Sequence, residues 1–277
     1  MEAFLLPDLG PRPIKEIKAA ELFATLRKIE ADGIRETAHR ARSLASRILR
    51  FAVATGRADR DITLDLRGAL APIVTKNRAA ITDPIRIGEL LRAIEGYTGQ
   101  PTTAYALKIS PYVFVRPGEL RKATWSEFDL DAGEWRIPSE RMKMRRPHFV
   151  PLAKQVVQLL KQLHAVSGYG TYLFPALRTA DRPMSNNTVN AALRRLGYSK
   201  EDMSGHGFRA LASTCLNEQG WHPDLIELQL AHAEKNKVRG AYNRAQRLGD
   251  RKKMMQAWAD YLDSLRAENI VKLIKAA

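Results

Sequence analysis

S-E-F-D-L-D-A-G-E-W-R-I-P, residues 126–138, is where the periodicity of this chain changes. Apolar and polar residues alternate on both sides of the D-A-G turn, as they do in a hairpin with one buried face. H-F-V-P-L at 148–152 predicts a third strand, preceded by the basic loop S-E-R-M-K-M-R-R-P. On either side of this small antiparallel sheet the apolar residues recur at helical spacing. The fold class is therefore mainly α, an α+β chain strongly dominated by helices.

Upstream, Pro7, Pro11 and Pro13 predict an extended lead-in rather than an element. A helix is expected over 19–31, with Leu22, Leu26 and Ile29 on one face. Another is expected over 36–56, carrying Ala41, Leu44, Ile48, Phe51 and Ala52, with Arg40, Arg42, Arg47 and Arg50 on its more polar sides. Leu64–Leu70 reads as a further short helix. With no strand candidate before residue 75, residues 1–75 form a small helical domain. From Ala71 to Asp83 the period is lost, and 76–83 is assigned as linker. Thr82 or Asp83 followed by Pro84 is a helix start, with proline at the first helical position. That helix runs through Ile87, Leu90, Leu91 and Ile94, and Thr102–Phe114 is a buried one. After the hairpin, helices are expected at 153–166, 185–196 with Ser185 as N-cap, 206–219, 222–233, about 237–247 and 249–268. The second domain is thus 84–277.

The chain has 45 Lys and Arg against 30 Asp and Glu, a formal charge of +15, which suits a polyanionic partner as well as a solvated surface. Cys215 is the sole cysteine, so an internal disulfide and a C-x-x-C zinc pair are both excluded. In A-S-T-C-L it reads as a small core residue. The start of the chain lacks the charged and apolar regions of a signal peptide, and no uninterrupted apolar run approaches the ~18 residues of a membrane span. A reducing, cytoplasmic location with no membrane is expected.

Arg116, in F-V-R-P-G-E-L, precedes a proline, so one helix must end there and another begin at Pro117. Its guanidinium stands beside unpaired helix N–H groups that favour an anion, and Glu119 can cap the turn or orient it. An ordinary capped helix with an Arg–Glu pair is the other reading. His206 and Arg209, in H-G-F-R, share a helix face, with Gly205 and Gly207 allowing close backbone approach; a core histidine beside a solvated arginine is equally open. His232 and Tyr242 are ten residues apart, which on a helix is about 1000° of turn and about 15 Å of rise. The A-E-K-N-K stretch between them must break the helix if both serve one site. Tyr242 sits among arginines in R-G-A-Y-N-R-A, an unusual setting for a core tyrosine. Lys143 lies in the hairpin loop and can deliver a proton or touch a DNA backbone, as can Arg141, Arg145 and Arg146. Two histidines without a carboxylate or thiolate at ligand spacing give no coordination set, so neither metal nor cofactor is expected.

R-P-G-E-L, the basic hairpin with Lys143, H-G-F-R, L-A-H at 230–232 and Tyr242 occur in the order found in tyrosine recombinases, the phage integrase family. F-V-R-P-G-E-L, E-R-M-K-M-R-R-P-H and A-H-x-E-K-N-K-V-R-x-A-Y-N-R resemble the P4-type prophage integrases more narrowly. The resemblance covers essentially the whole chain. Ala231 stands where many members have glycine, and P-Y-V-F-V precedes Arg116 where many have T-G-x.

The resemblance implies a site-specific DNA recombinase that integrates or excises a prophage or mobile element. Tyr242 would attack the scissile phosphate, and Arg116 and Arg209 would hold its non-bridging oxygens. His206 would act as acid or base, Lys143 would protonate the leaving oxygen, and His232 would bond the phosphate. Residues 1–75 would be a core-binding domain on double-stranded DNA, with Arg40, Arg42, Arg47, Arg50, Arg145 and Arg146 as candidate contacts. It further implies a homotetramer on DNA that is monomeric when free, bacterial cytoplasm with nucleoid association when active, and accessory bending or excision factors. Relatives carry an N-terminal arm-binding domain not present in this sequence, so residue 1 is expected to fall partway through the natural protein or to start a short form. The apolar tail Ile270–Ala277, with Lys272 and Lys275, packs on a neighbouring protomer or folds back. A type IB-like topoisomerase and a catalytically idle DNA-binding remnant are the competing readings.

Overall fold

Leu22, Leu26 and Ile29 do share a face, and α2 (Ala19–Ala31) buries all three. The computed structural model describes residues 2–73, 79–232 and 247–267, and the chain divides into two compact units, 1–77 and 78–277. In the first, α2 packs on α3 (Arg35–Ala54), whose buried stripe is Ala38, Ala41, Ala45, Leu49 and Ala52. Four alanines leave no bulk between the helices, and that close approach sets which face turns inward. The expected face is therefore rotated: Ile48 is 47% exposed and Phe51 67%. Residues 2–9 also differ from expectation, forming α1 (Glu2–Leu9) despite Pro7. Burying Leu5 in the core of this unit, and tying Asp8 to Lys28 at 2.8 Å and Thr25 at 3.1 Å, outweighs the one helical bond that proline removes. In place of a helix at Leu64–Leu70 there is a 3-10 turn, Ile62–Leu66, opened by the Asp61 carboxylate accepting the Thr63 N–H at 3.0 Å.

The second unit begins as its sequence dictates. Asp83 caps α4 (Pro84–Glu95) by accepting the Arg86 N–H at 3.0 Å, and α5 (Pro101–Val113) and α6 (Pro117–Arg121) follow. The hairpin forms a three-stranded antiparallel sheet in chain order, β1 (Phe128–Asp129), β2 (Glu134–Ile137) and β3 (His148–Pro151). Its register pairs Trp135 with Val150 and Ile137 with His148, and all four are buried. After α7 (Lys154–Ser167) comes a two-stranded sheet that the alternation did not reveal, β4 (Pro175–Ala176) with β5 (Thr179–Pro183). A two-residue strand is too short to carry a period. Then follow α8 (Thr188–Arg195), α9 (Gly207–Glu218), α10 (Pro223–Gln229) and α11 (Leu248–Ala267). The start of α8 is later than expected because Ser185 turns the chain instead, its hydroxyl accepting the Asn187 N–H at 3.4 Å. The end of α10 is earlier, for reasons given below. Residues 237–246 of the expected helix 237–247, and the tail Ile270–Ala277, lie outside the described residues. Cys215 is buried in α9, where desolvation pushes its thiol up to about 11. Among the described residues, no helix is long and apolar enough to cross a membrane.

α11 closes this core. Trp258 is fully buried, donates Nε1–H to the Pro111 carbonyl at 2.9 Å, and meets Phe114 edge-on at 6.2 Å. Gly88 of α4 faces the last turn of α11, where a Cβ would stand 2.4 Å from the Leu265 carbonyl oxygen. Arg92, one turn on, donates to that carbonyl at 3.2 Å and to Arg266 O at 3.3 Å, covering helix-terminal acceptors. Alanine ordinarily favours a helix interior over glycine by about 1 kcal/mol. Here Gly88→Ala must push α11 aside, an overpacking penalty of about 1–3 kcal/mol. A lower urea midpoint is expected for the variant; a raised midpoint would show that the two helices are not in fixed contact.

Candidate active site

The site is built on chain reversals. α5 stops at Val113, and Phe114 takes a left-handed conformation (φ +36°) that turns its carbonyl out of the helix. Arg116 is then extended ahead of Pro117, with ψ 138°. Glu119, one turn into α6 and nearly fully buried, accepts the Arg116 backbone N–H at 3.0 Å and its Nη1 at 2.9 Å. The other guanidinium nitrogen, Nη2, donates to the Ala231 carbonyl at 3.0 Å.

Arg209 arrives from α9. The H-G-F-R glycine is needed there, since a Cβ on Gly207 would lie 2.5 Å from the Ala79 carbonyl oxygen. Gly205 donates its N–H to Asn190 Oδ1 at 2.9 Å and lies against the Pro117 ring, so the start of α9 and the start of α6 are neighbours. Arg209 donates Nη1 to Phe114 O at 3.0 Å and Nη2 to Leu230 O at 2.7 Å, and Nη2 also lies 3.2 Å from His232 Nε2. It is only 5% exposed. Burial first, and the neighbouring Arg116 guanidinium second, pull its pKa down to about 10, which leaves it cationic at neutral pH.

The L-A-H segment supplies the carbonyls for both arginines. Ala231 N–H bonds Leu228 O at 3.1 Å and His232 N–H bonds Glu227 O at 3.1 Å, the paired bonds of a Schellman stop, with Ala231 left-handed at φ +49°. The helix therefore ends before His232, short of the expected 233, and the A-E-K-N-K stretch lies outside the described residues. The same turn brings the His232 ring over its own helix, with Nδ1 2.7 Å from Glu227 Oε2.

The structure thus brings Arg116, Arg209 and His232 together on one short turn. His206 holds the N-cap position of α9, half-buried, its carbonyl accepting the Arg209 N–H at 3.1 Å. Lys143 is exposed, two residues beyond Arg141, which pairs with Glu127 and donates to the Glu119 carbonyl. The loop carrying Lys143 therefore departs beside Arg116, and Arg141 is a structural anchor. Arg145 and Arg146 are exposed on the same loop. Tyr242 lies outside the described residues. Downstream of it, Arg247 pairs with Asp224 of α10 at 3.2 Å and bonds His222 Nδ1 at 3.1 Å. On α3, Arg40, Arg47 and Arg50 are exposed and, with Ser43 and Leu44, line a concave surface. Arg42 turns elsewhere, donating to the Leu66 carbonyl at 3.1 Å. Among the described residues, no group of three or more His, Cys, Asp or Glu side chains could hold a metal ion.

Sequence reasoning missed the layer beneath. His148 on β3 is buried and donates Nε2–H to the Gln229 carbonyl at 3.1 Å. Arg251 of α11, also buried, gives Nη2 to Phe149 O and to Gln229 Oε1, each at 2.6 Å. An inward strand position facing Ile137 was a signal for His148; Arg251, in G-D-R-K-K, reads as solvated charge. Chemically, two adjacent guanidinium groups have, among the described residues, one carboxylate, Glu119, in direct contact. Their excess charge suits an anion that accepts from both, such as a phosphodiester.

Burial first, then the nearby Arg251, Arg116 and Arg209, depress the His148 pKa to about 3. The folded state thus holds this ring neutral while an unfolded chain, with a pKa near 6.5, takes a proton. Its contribution is complete above about 6.5 and is lost as pH falls toward 3, with a limiting slope of about 1.4 kcal/mol per pH unit. Urea unfolding at pH 7 and pH 5 should therefore show a larger loss for the wild type than for His148→Gln. Equal losses would mean that the ring is already protonated in the folded state.

The phage integrase family matches residues 76–248, and the phage integrase central domain matches residues 1–69. The integrase of Enterobacteria phage P4 is 39% identical over 99% of this chain and 66% of its own length. Prophage integrase IntA of Escherichia coli strain K12 is 36% identical over 98% of this chain and 65% of its own length. The chain thus spans about two thirds of the length of these relatives. Among solved structures, residues 75–356 of lambda integrase, a dimer bound to a COC' core site, align with TM-score 0.66 at 19% identity, over 84% of this chain and 85% of that one. A family match across most of the second unit, joined to relatives this similar along nearly the whole sequence, means that the chain belongs to the phage integrase family of tyrosine-type site-specific recombinases, with the P4-type prophage integrases.

Proposed function

We propose that this chain cuts and rejoins DNA at specific sites, integrating or excising a prophage or mobile element, and that Tyr242 is its nucleophile. The phenol oxygen attacks the scissile phosphorus as the bond to the 5′-oxygen breaks, giving a 3′-phosphotyrosine and a free 5′-hydroxyl. His206 exchanges the phenol proton and Lys143 supplies one to the leaving oxygen. Arg116 and Arg209 hold the non-bridging oxygens and stabilise the added charge of the pentavalent state, with His232 bonding the same phosphate. The phosphodiester energy stays in the tyrosyl link, so attack by a 5′-hydroxyl from another strand reseals the backbone without a nucleotide cofactor.

One observation supports this most: Arg116 and Arg209 donate to consecutive carbonyls, Ala231 and Leu230, beside His232. Residues 1–75 act as the core-binding domain, gripping the duplex through the exposed Arg40, Arg47 and Arg50 stripe, with Arg145 and Arg146 touching the backbone from the catalytic domain, 84–277. Arg42 belongs to this set only through its charge. The working assembly is a homotetramer across two double-stranded sites, formed from monomers on DNA, with accessory bending or excision factors, in the bacterial cytoplasm at the nucleoid.

Nicked suicide duplexes carrying the element's own junction sequences test this reading. Wild type should form a covalent adduct that mass spectrometry assigns to Tyr242. Tyr242→Phe should abolish the adduct while DNA affinity stays nearly unchanged; a persisting adduct would require another nucleophile. Arg116→Ala should raise the cleavage barrier by about 3 kcal/mol, as when one oxyanion donor is removed. Plasmid relaxation without recombinants would turn the reading toward a swivelling topoisomerase.

A further inference from the structure

We propose that Glu227 is a positioning residue for His232: its carboxylate takes the Nδ1 proton and so leaves Nε2 as the ring atom turned toward Arg209 and any anion bound there. The inference rests on the reading of Arg116, Arg209 and His232 as a phosphate site. Arg209 can only donate, so His232 Nε2, 3.2 Å from Nη2, accepts. A neutral imidazole has a single N–H, which must then sit on Nδ1 and point at Glu227 Oε2, 2.7 Å away. The tautomer is fixed from both sides.

The backbone makes this contact unavoidable. In the Schellman stop, His232 N–H closes on Glu227 O at 3.1 Å, which folds the sixth residue of E-L-Q-L-A-H back over the first. Among the described residues, the charged groups around the ring are Glu227 on α10, Arg209 on α9, Arg116 through the Ala231 carbonyl, and Glu119 behind Arg116 on α6. The side chains of His232 and Glu227 are 47% and 55% exposed, so their pairing adds little to stability. What it supplies is orientation. An arriving phosphate oxygen competes for the Arg209 N–H, and only a doubly protonated ring donates Nε2–H to that oxygen; in either form Nδ1–H stays on the carboxylate.

Two measurements on the full chain test this. With ¹⁵N-labelled histidine, NMR of the free protein should find His232 protonated on Nδ1 and bare at Nε2, with Glu227→Ala moving population to the Nε2–H form. In single-turnover cleavage, Glu227→Gln should slow adduct formation about tenfold, the scale of one charge-assisted hydrogen bond, with DNA affinity and thermal midpoint unchanged. In a His232→Ala background the same substitution should slow nothing further. An Nε2–H ring in the wild type, an unimpaired Glu227→Gln, or an equal loss without His232 would each overturn the proposal. A wild type that forms no adduct would bring down the reading of the site, and the ring tautomer alone would then decide whether Glu227 sets it.

Discussion

Two guanidinium groups rest on the end of one short helix, and the geometry of the site hangs on that contact. The last carbonyls of any helix lack intrahelical partners and carry the negative end of its dipole. At the end of α10 the C-cap carbonyl, Leu230, takes Arg209 and the next one, Ala231, takes Arg116. These contacts fix where each guanidinium lies before any ligand arrives. They do not neutralise it. A buried guanidinium whose direct partners are carbonyls and an imidazole is only partly compensated for its lost hydration. An anion accepting from both arginines would complete the compensation, which is how preorganised charge stabilises a transition state without rearranging.

Beneath this turn one ring is held uncharged by burial and by the guanidinium groups around it. His148 is neutral, and its bond to Gln229 O ties β3 to α10. Arg251 ties the same strand and the same glutamine to α11. Arg141, at the other root of the hairpin loop, is bound to Glu127, which also accepts Trp135 Nε1–H at 2.8 Å. The loop is thus fastened at both roots, while residues 143–147 at its tip are exposed. A tip of this kind can move a lysine without disturbing the strands that carry it.

The legible parts of the sequence were those where one residue type forces one conformation. Asp83–Pro84 and Arg116–Pro117 each started a helix, and the alternation at 126–138 made the hairpin. Legibility failed where the determinant was packing. On α3 an alanine stripe won the core over Ile48 and Phe51, because close approach outweighs bulk once a partner helix is present. Leu5 drew residues 2–9 into a helix that Pro7 argued against. At the site, the arginines and His232 could be named from their motifs, whereas Glu227 and Arg251 could not and His148 showed only as an inward strand position. Their roles depend on a helix ending at Gln229, and no glycine marks that end.

Ala231 explains why the mark is missing. A residue with a Cβ in the left-handed region carries a penalty of about 1–2 kcal/mol, and glycine would avoid it. Alanine is the least bulky alternative, and four contacts hold the turn around it: the two Schellman bonds, Arg116 on its own carbonyl and Arg209 on the one before. Strain of this size persists only where the surroundings over-determine the conformation. The turn is therefore enforced by the arginines as much as by the residue that makes it. Removing either guanidinium should loosen the helix end that presents His232, so the three side chains form one mechanical unit, and the effects of substituting them singly should not add.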